Sequence, residues 1–341
     1  MLKFNRRFVF YISLVVLLLI GILSLLSGSV HVSIGQLIDS FSFTNESRLS
    51  YIVSEIRLPR FLFACIAGIS LAISGTALQG MFRNPLTDPS IIGISSGAAF
   101  FASLVIIFSD LFPAELTDQF GNFFLAFFAF IGGLITTIVV YKVSSFGHKS
   151  SIMMLLLTGL GVNTFFFGAI GLMTYIADEQ QLKQLSFWNL GSLGSASWET
   201  FFIAFPLVLL SSIGVILLAK QLNTLSLGEL NASALGVDVK RLSRWIIILS
   251  ALSVGIITAF CGIISFVGII VPHLARMVFG PNHNYLAYAS IIFGAIFLSL
   301  TDLASRTLFI PSELPINIIT SFIGAPIFLY VLLRQKQQGF V

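Results

Sequence analysis

The sequence predicts an all-α, polytopic integral membrane protein with about ten transmembrane helices and both termini cytoplasmic. Three observations predict it. Of 341 residues, 57% are hydrophobic and only 9% are charged, with a mean hydropathy of +1.00, more apolar surface than a water-soluble core can bury. The apolar residues fall in runs long enough to cross a bilayer. The few charges segregate by sign between alternate connections.

A spanning helix needs about 20 mainly apolar residues to cross about 30 Å of hydrocarbon. Cutting the chain where charges, prolines and turn residues cluster gives ten segments, at residues 8–27, 59–80, 91–108, 121–143, 152–175, 200–219, 243–260, 264–280, 286–306 and 314–333. The first reads as a retained helix, because its apolar run from Phe8 to Leu26 is too long for a cleavable signal and no small-residue cleavage pattern ends it. Residues 1–341 then form one transmembrane domain.

Charge fixes the orientation. With the N-terminus inside, thirteen of the eighteen Lys and Arg fall on the cytoplasmic side, against Asp88, Glu229 and Asp238. The other eleven carboxylates fall outside, with Arg48, Arg57, Arg60, Lys183 and Arg306. Positive charge near helix ends marks the cytoplasmic side. The basic pI of about 9.2 is therefore a topology signal and calls for no nucleic acid.

Several function classes drop out. Cys65 and Cys261 have no CxxC or CxxH spacing, and His31, His148, His273 and His283 are scattered, so neither a disulfide framework nor a metal site is expected. No carboxylate falls in mid-span; Asp302 lies about one turn from the end of the ninth segment. Ion-coupled carriers usually keep such groups near the midplane. The chain also lacks a GxxxxGK[ST] phosphate loop, so it is not expected to be an enzyme that hydrolyses ATP by itself. A permease driven by a separate nucleotide-binding subunit satisfies both absences.

The connections carry the remaining signals. In RNPLTDP, between the second and third segments, Pro85 and Pro89 stop helices, while Asn84 and Asp88 can bond backbone groups freed at the break, which predicts a rigid cytoplasmic corner. Gly68, Gly75, Gly80, Gly93 and Gly97 let the flanking helices approach closely. Pro272 falls within a short apolar stretch and predicts an interrupted eighth span. His273 and Arg276 follow on one helical face. They read either as a gate or ATPase contact, or as a cap and a headgroup anchor. The cytoplasmic connection 222–244 reads as two short helices, Leu227–Leu235 ended by Gly236 and a second from Val237. On the other side, residues 180–190 predict a short amphipathic helix, a lid over the pore mouth or a passive interfacial loop.

Three blocks carry a family resemblance: residues 57–100, with SGTALQGMFRNPLTDPSIIGISSGA at their heart; GIISFVGIIVPHLARMVFGPNH, 262–283; and SELPINIITSFIGAPIFLYVLLR, 312–334. Together they closely resemble the permease subunits of the iron-siderophore, haem and cobalamin uptake family of ABC importers (type II importers), in order and over nearly the whole chain. The resemblance implies a multi-pass protein of a bacterial cytoplasmic membrane. Its partners would be two copies of an ATP-binding subunit, a second permease chain, the same or related, and an extracytoplasmic substrate-binding protein. It implies no cofactor in this chain, with ATP and Mg bound by the partner ATPase. The cargo would be an iron(III) chelate or haem; cobalamin or an oxyanion of the same family, or ion-coupled transport, are the alternatives.

Site residues follow by the same route. Gly228, Glu229, Ala232, Ala234, Leu235 and Gly236 would form the coupling segment that seats on the ATPase. Arg57, Arg60 and Arg306 would pair with carboxylates of the binding protein, since guanidinium holds its charge and bonds carboxylate in a fixed geometry. Local pairing, Arg57 with Glu55 or Arg306 with Asp302, is the other reading. The fifth, eighth and tenth helices would line the pathway along a dimer interface, with Asn163, Thr164, Pro272, His273, Arg276 and Asn317 as pathway or gate candidates.

Overall fold

The computed structural model describes residues 6–40, 48–113, 115, 119–145 and 152–337. Lys3, Glu46, Asp118, His148 and Lys149, which entered the sequence reading, lie outside the described residues. All regular structure among the described residues is helical. The chain runs through α1 (Arg6–Leu26), α2 (Ile34–Ser40), α3 (Arg48–Phe82), α4 (Ile94–Ile107), α5 (Asn122–Ser144), α6 (Ile152–Ile176) and α7 (Glu179–Leu190). It continues through α8 (Trp198–Leu225), α9 (Glu229–Ala234), α10 (Val239–Cys261), α11 (Val267–Phe279), α12 (His283–Thr307) and α13 (Ile316–Gln337).

Each of the ten predicted segments is helical. Seven helices, α1, α3, α5, α6, α8, α10 and α12, are long and apolar enough to cross a membrane, while α4, α11 and residues Ile316–Tyr330 of α13 are shorter apolar helices. Contacts between connections group them at two ends of the bundle. At one end Gln181 reaches the Ile107 carbonyl and Trp198 the Ser54 carbonyl; at the other Arg83 approaches Glu229 and Arg6 lies over Tyr285.

The bundle is organised around α3, of whose most apolar stretch 83% is buried. It packs against α8, α10, α11 and α12. Small residues make this possible, because without a hydrophobic drive between helices in lipid, close backbone approach supplies the packing energy. Gly68 meets the carbonyl of Gly294 on α12, and Gly75 meets that of Gly268 on α11. Hydroxyls join the same seams, Thr76 to Ser290 and Ser70 to Ser253, each at 2.7 Å. By contrast, only 11% of the corresponding stretch of α6 is buried.

Four boundaries differ from the sequence reading. The second span starts at Arg48, because an α-turn and a π-helical stretch, Ile52–Arg57, precede Leu58 without a break. The third is shorter, since residues 83–93 fold back before α4 begins: Arg83 and Gly93 take left-handed conformations and Pro89–Ile92 form a 3-10 turn. Pro272 does not interrupt the eighth span. The break lies earlier, at residues 262–266, and α11 runs through the proline. Finally, the second short helix expected from Val237 is the first turn of α10, started by Asp238, whose carboxylate accepts from the Arg241 amide at 2.9 Å.

Candidate functional site

Chemistry-bearing side chains gather in three places. The first is the end of the bundle predicted to face outward. Arg60 donates through Nε to Asp302 at 2.9 Å and through both terminal nitrogens to Glu313 at 2.8 and 2.9 Å. Arg306 stands 3.5 Å from the second Asp302 oxygen, one helical turn away, and donates to the Ser27 carbonyl at 3.0 Å and to the Ser24 carbonyl and hydroxyl at 2.6 Å. Arg57 donates to the carbonyl of Leu25 at 2.6 Å and to that of Val30.

These three arginines were expected at the surface, pairing with a docking protein. The structure buries each to under a tenth exposed. Their hydrogen bonds are made within the chain, those of Arg57 and Arg306 mainly to carbonyls in and after the last turn of α1, where the helix leaves carbonyls without helical partners; Arg306 Nε alone is left without a hydrogen bond, 3.5 Å from Asp302. Arg306 does pair with Asp302, as the alternative reading had it; Arg57 serves the end of α1. Only Glu313, half exposed, carries the network to the surface. Its carboxyl is held below the usual glutamate range, chiefly by the hydrogen bonds from Arg60.

The second place lies between the start of α11 and the neighbouring helices. Segment 262–266 is not helical, with Gly262 and Phe266 both at positive φ. Asn317 holds it, accepting from the Ser265 amide at 3.1 Å. Just beyond, Gln79 of α3 donates to the Gly268 carbonyl at 3.1 Å and accepts from Arg276 at 3.0 Å. His273 lies half-buried in a narrow gap with Pro85, Leu86 and Phe328. The adjoining corner is built as its residues predict: Asn84 accepts from the Leu86 amide at 3.0 Å, and Asp88 from the Ser90 amide at 2.9 Å. Pro89 and Asp88 rest against Gly268, so the corner folds back into the bundle and supports the broken helix.

Of the six pathway candidates, Thr164 faces open space on α6, its hydroxyl satisfied by the Leu160 carbonyl at 2.9 Å. Asn163 turns inward, accepting from Ser96 at 2.6 Å and donating to the Ser90 carbonyl at 3.1 Å. Pro272 is buried, and Arg276 and Asn317 are engaged as described. Gln79 escaped the sequence reading. Its signal was available, as a carboxamide inside an otherwise apolar helix calls for a buried polar partner.

The third place is the opposite end. Gly228, with φ +106°, and Gly236, with φ +87°, bracket α9, and each conformation is one that side-chain-bearing residues rarely adopt. Of the residues singled out there, Ala232 packs inward and Ala234 and Leu235 lie outward. Glu229 approaches Arg83 at 3.5 Å. Leu227, Leu230 and Leu235 are all exposed, Leu230 to 88%. Leu230 on α9, with Leu227 before its first turn and Leu235 just past its last, leaves apolar side chains that no described part of this chain covers.

The chain is 42% identical over 295 residues to the haemin transport system permease protein HmuU of Yersinia pestis, covering 86% of each chain. It is 37% identical to the vitamin B12 import system permease protein BtuC of Vibrio vulnificus, over 95% of this chain and 93% of the relative. A solved structure described as an inward-facing conformation of a metal-chelate type ABC transporter superposes with a TM-score of 0.84 at 34% identity, covering 96% of this chain and 99% of its own. The model of the FecCD transport family matches residues 16–334, and the chain belongs to that family.

Proposed function

We propose that this chain is the membrane-spanning permease subunit of an ATP-driven importer that carries haem or an iron(III) chelate across a bacterial cytoplasmic membrane. The observation that carries the reading is the exposed apolar side chains on and beside α9, Leu230 above all, between two positive-φ glycines at the predicted cytoplasmic end, suited to a groove on a separate ATPase. ATP and Mg would be bound there. Ion coupling has less support, since Asp302, the one carboxylate among the buried described residues, is held between two arginines. The cargo assignment leans on the haemin permease of Yersinia pestis and on a 33% identical relative from Helicobacter pylori named as an iron chelatin permease. Cobalamin is the second reading, supported by the BtuC relatives.

The open faces of α6 and α13 would meet a second permease chain, with Thr164 toward the shared pathway. A binding protein would arrive at the opposite end from the ATPase. Arg60, through its half-exposed partner Glu313, is the arginine within reach of it. Arg57 and Arg306 would act indirectly by fixing α1.

Uptake of labelled haem, ferric siderophores and cobalamin, in cells lacking the chain and with it restored, tests the reading. Loss of haem or one chelate, rescued by the chain and insensitive to an uncoupler while ATP is maintained, is expected; uptake that follows the proton gradient would overturn it. In the same cells, Leu230→Arg should leave the permease inserted and folded, because a side chain so exposed contributes little to stability, yet abolish ATPase co-purification.

A further inference from the structure

Pro272 lies inside α11, where a proline both clashes with the preceding turn and removes the amide that would donate to the carbonyl four residues earlier. That carbonyl belongs to Gly268. It is not left empty: Gln79 Nε2 donates to it at 3.1 Å and leans toward the next carbonyl, Ile269, at 3.5 Å. The other end of the same carboxamide accepts from Arg276 Nη2 at 3.0 Å. The amide orientation follows from chemistry alone, since a carbonyl can only accept and a guanidinium can only donate. Gln79 is buried, so neither end has water as a ready substitute.

We propose that Gln79 is a positioning residue of the transport step, supplying from α3 the donor that Pro272 lacks and setting, through Arg276, the register of α11 against α3. A side chain of this length with one donor and one acceptor end is required. Glutamate would keep the Arg276 contact and lose the donor; methionine would lose both; asparagine is one methylene short. The close contact of Gly75 with Gly268 places the two backbones where the carboxamide can span them. Because α11 begins at a break and is only 13 residues long, one borrowed hydrogen bond is a large share of what holds its first turns.

The test is a double-mutant cycle that restores the missing amide. Purified permease carrying Gln79→Glu, Gln79→Met, Pro272→Ala, or each Gln79 change combined with Pro272→Ala, is compared by hydrogen–deuterium exchange across residues 267–279. The same variants, assembled with the ATPase in liposomes, are scored for cargo moved per ATP hydrolysed. This second readout rests on the importer reading; the exchange readout needs neither cargo nor ATPase, so failure of the one idea is separable from failure of the other. Gln79→Glu should raise exchange in α11 about tenfold, as the loss of one hydrogen bond of about 1 kcal/mol or slightly more implies, Gln79→Met, which loses both contacts, at least as much, and both should lower the coupling ratio several-fold. Pro272→Ala should restore the Gln79→Glu variant to near wild type on both. Exchange unchanged in both single variants, or a Gln79→Glu defect that Pro272→Ala fails to relieve, overturns the proposal.

Discussion

Replacing Asp302 by asparagine should destabilise the fold far more than replacing the neighbouring Glu313 by glutamine. Asp302 is 1% exposed and receives Arg60 at 2.9 Å and Arg306 at 3.5 Å. At an effective dielectric of about 20, these attractions are worth about 6 and about 5 kcal/mol before desolvation and the repulsion between the arginines are subtracted. The substituted carboxamide would keep the shape and lose the charge, leaving two buried guanidiniums with one half-exposed carboxylate, Glu313, between them. Breaking a buried pair by removing one partner costs about 3–5 kcal/mol, or roughly two to four powers of ten in the folding equilibrium. Glu313→Gln is the internal control: at 44% side-chain exposure its pair with Arg60 is screened, and its loss should cost about 1 kcal/mol or less. Denaturant titration in mixed micelles, followed by circular dichroism on both variants, reads the difference directly. Equal losses for the two variants, or less than about 1 kcal/mol for Asp302→Asn, would refute the claim that the carboxylate holds the two arginines in place.

Three further outcomes follow from the same geometry. The carboxyl of Glu313 is depressed by Arg60, so its contribution is complete above the unfolded glutamate value of about 4.3 and lost as pH falls through the folded value; wild type should weaken more than Glu313→Gln as pH drops below about 4.3. Gly75→Leu should drive a side chain into the Gly268 carbonyl, costing at least the roughly 1–3 kcal/mol typical of overpacking and lowering the yield of folded protein on size-exclusion chromatography. Asn163→Leu, which removes the ties to Ser96 and the Ser90 carbonyl, should cost about 1–3 kcal/mol, the net worth of two hydrogen bonds, since Ser96 and the Ser90 carbonyl each keep a second partner at Gly93; proteolysis between α6 and α7 should quicken if that tie restrains α6.

The spans were legible because their signal is local: an apolar run and its flanking charges sit in consecutive residues. The ends of α3, α4 and α11 were not, because tertiary partners decide them. A proline at 272 reads as a break on local grounds, and the residue that cancels the break lies on another helix, 189 positions from the Gly268 carbonyl it serves. Arg57 and Arg306 read as surface charges because a guanidinium at a helix end looks the same in sequence whether it faces a partner protein or the carbonyls of α1. Apart from the Ser24 hydroxyl, those acceptors are backbone atoms of Ser24, Leu25, Ser27 and Val30, which carry no side-chain signature. Asp238 is the opposite case: an aspartate three residues before Arg241, at the head of an apolar helix, is a local cap signal for the start of α10.

The polar seams also divide the molecule into parts that can move separately. α3 is cross-linked along its length, by Arg60 to α12 at one end, by Ser70 and Thr76 to α10 and α12 in the middle, and by Gln79 to α11 near the other end. At the latter end, Asn223 of α8 bonds both Asn282 and His283 at the head of α12, and α9 follows α8 within a few residues. α9 is thus joined by a short connection to α8, which is bonded through Asn223 to α12, and α12 in turn packs on α3. α6 and the exposed face of α13 stand largely outside this cross-linked set, which leaves them the elements with fewest polar ties to the core.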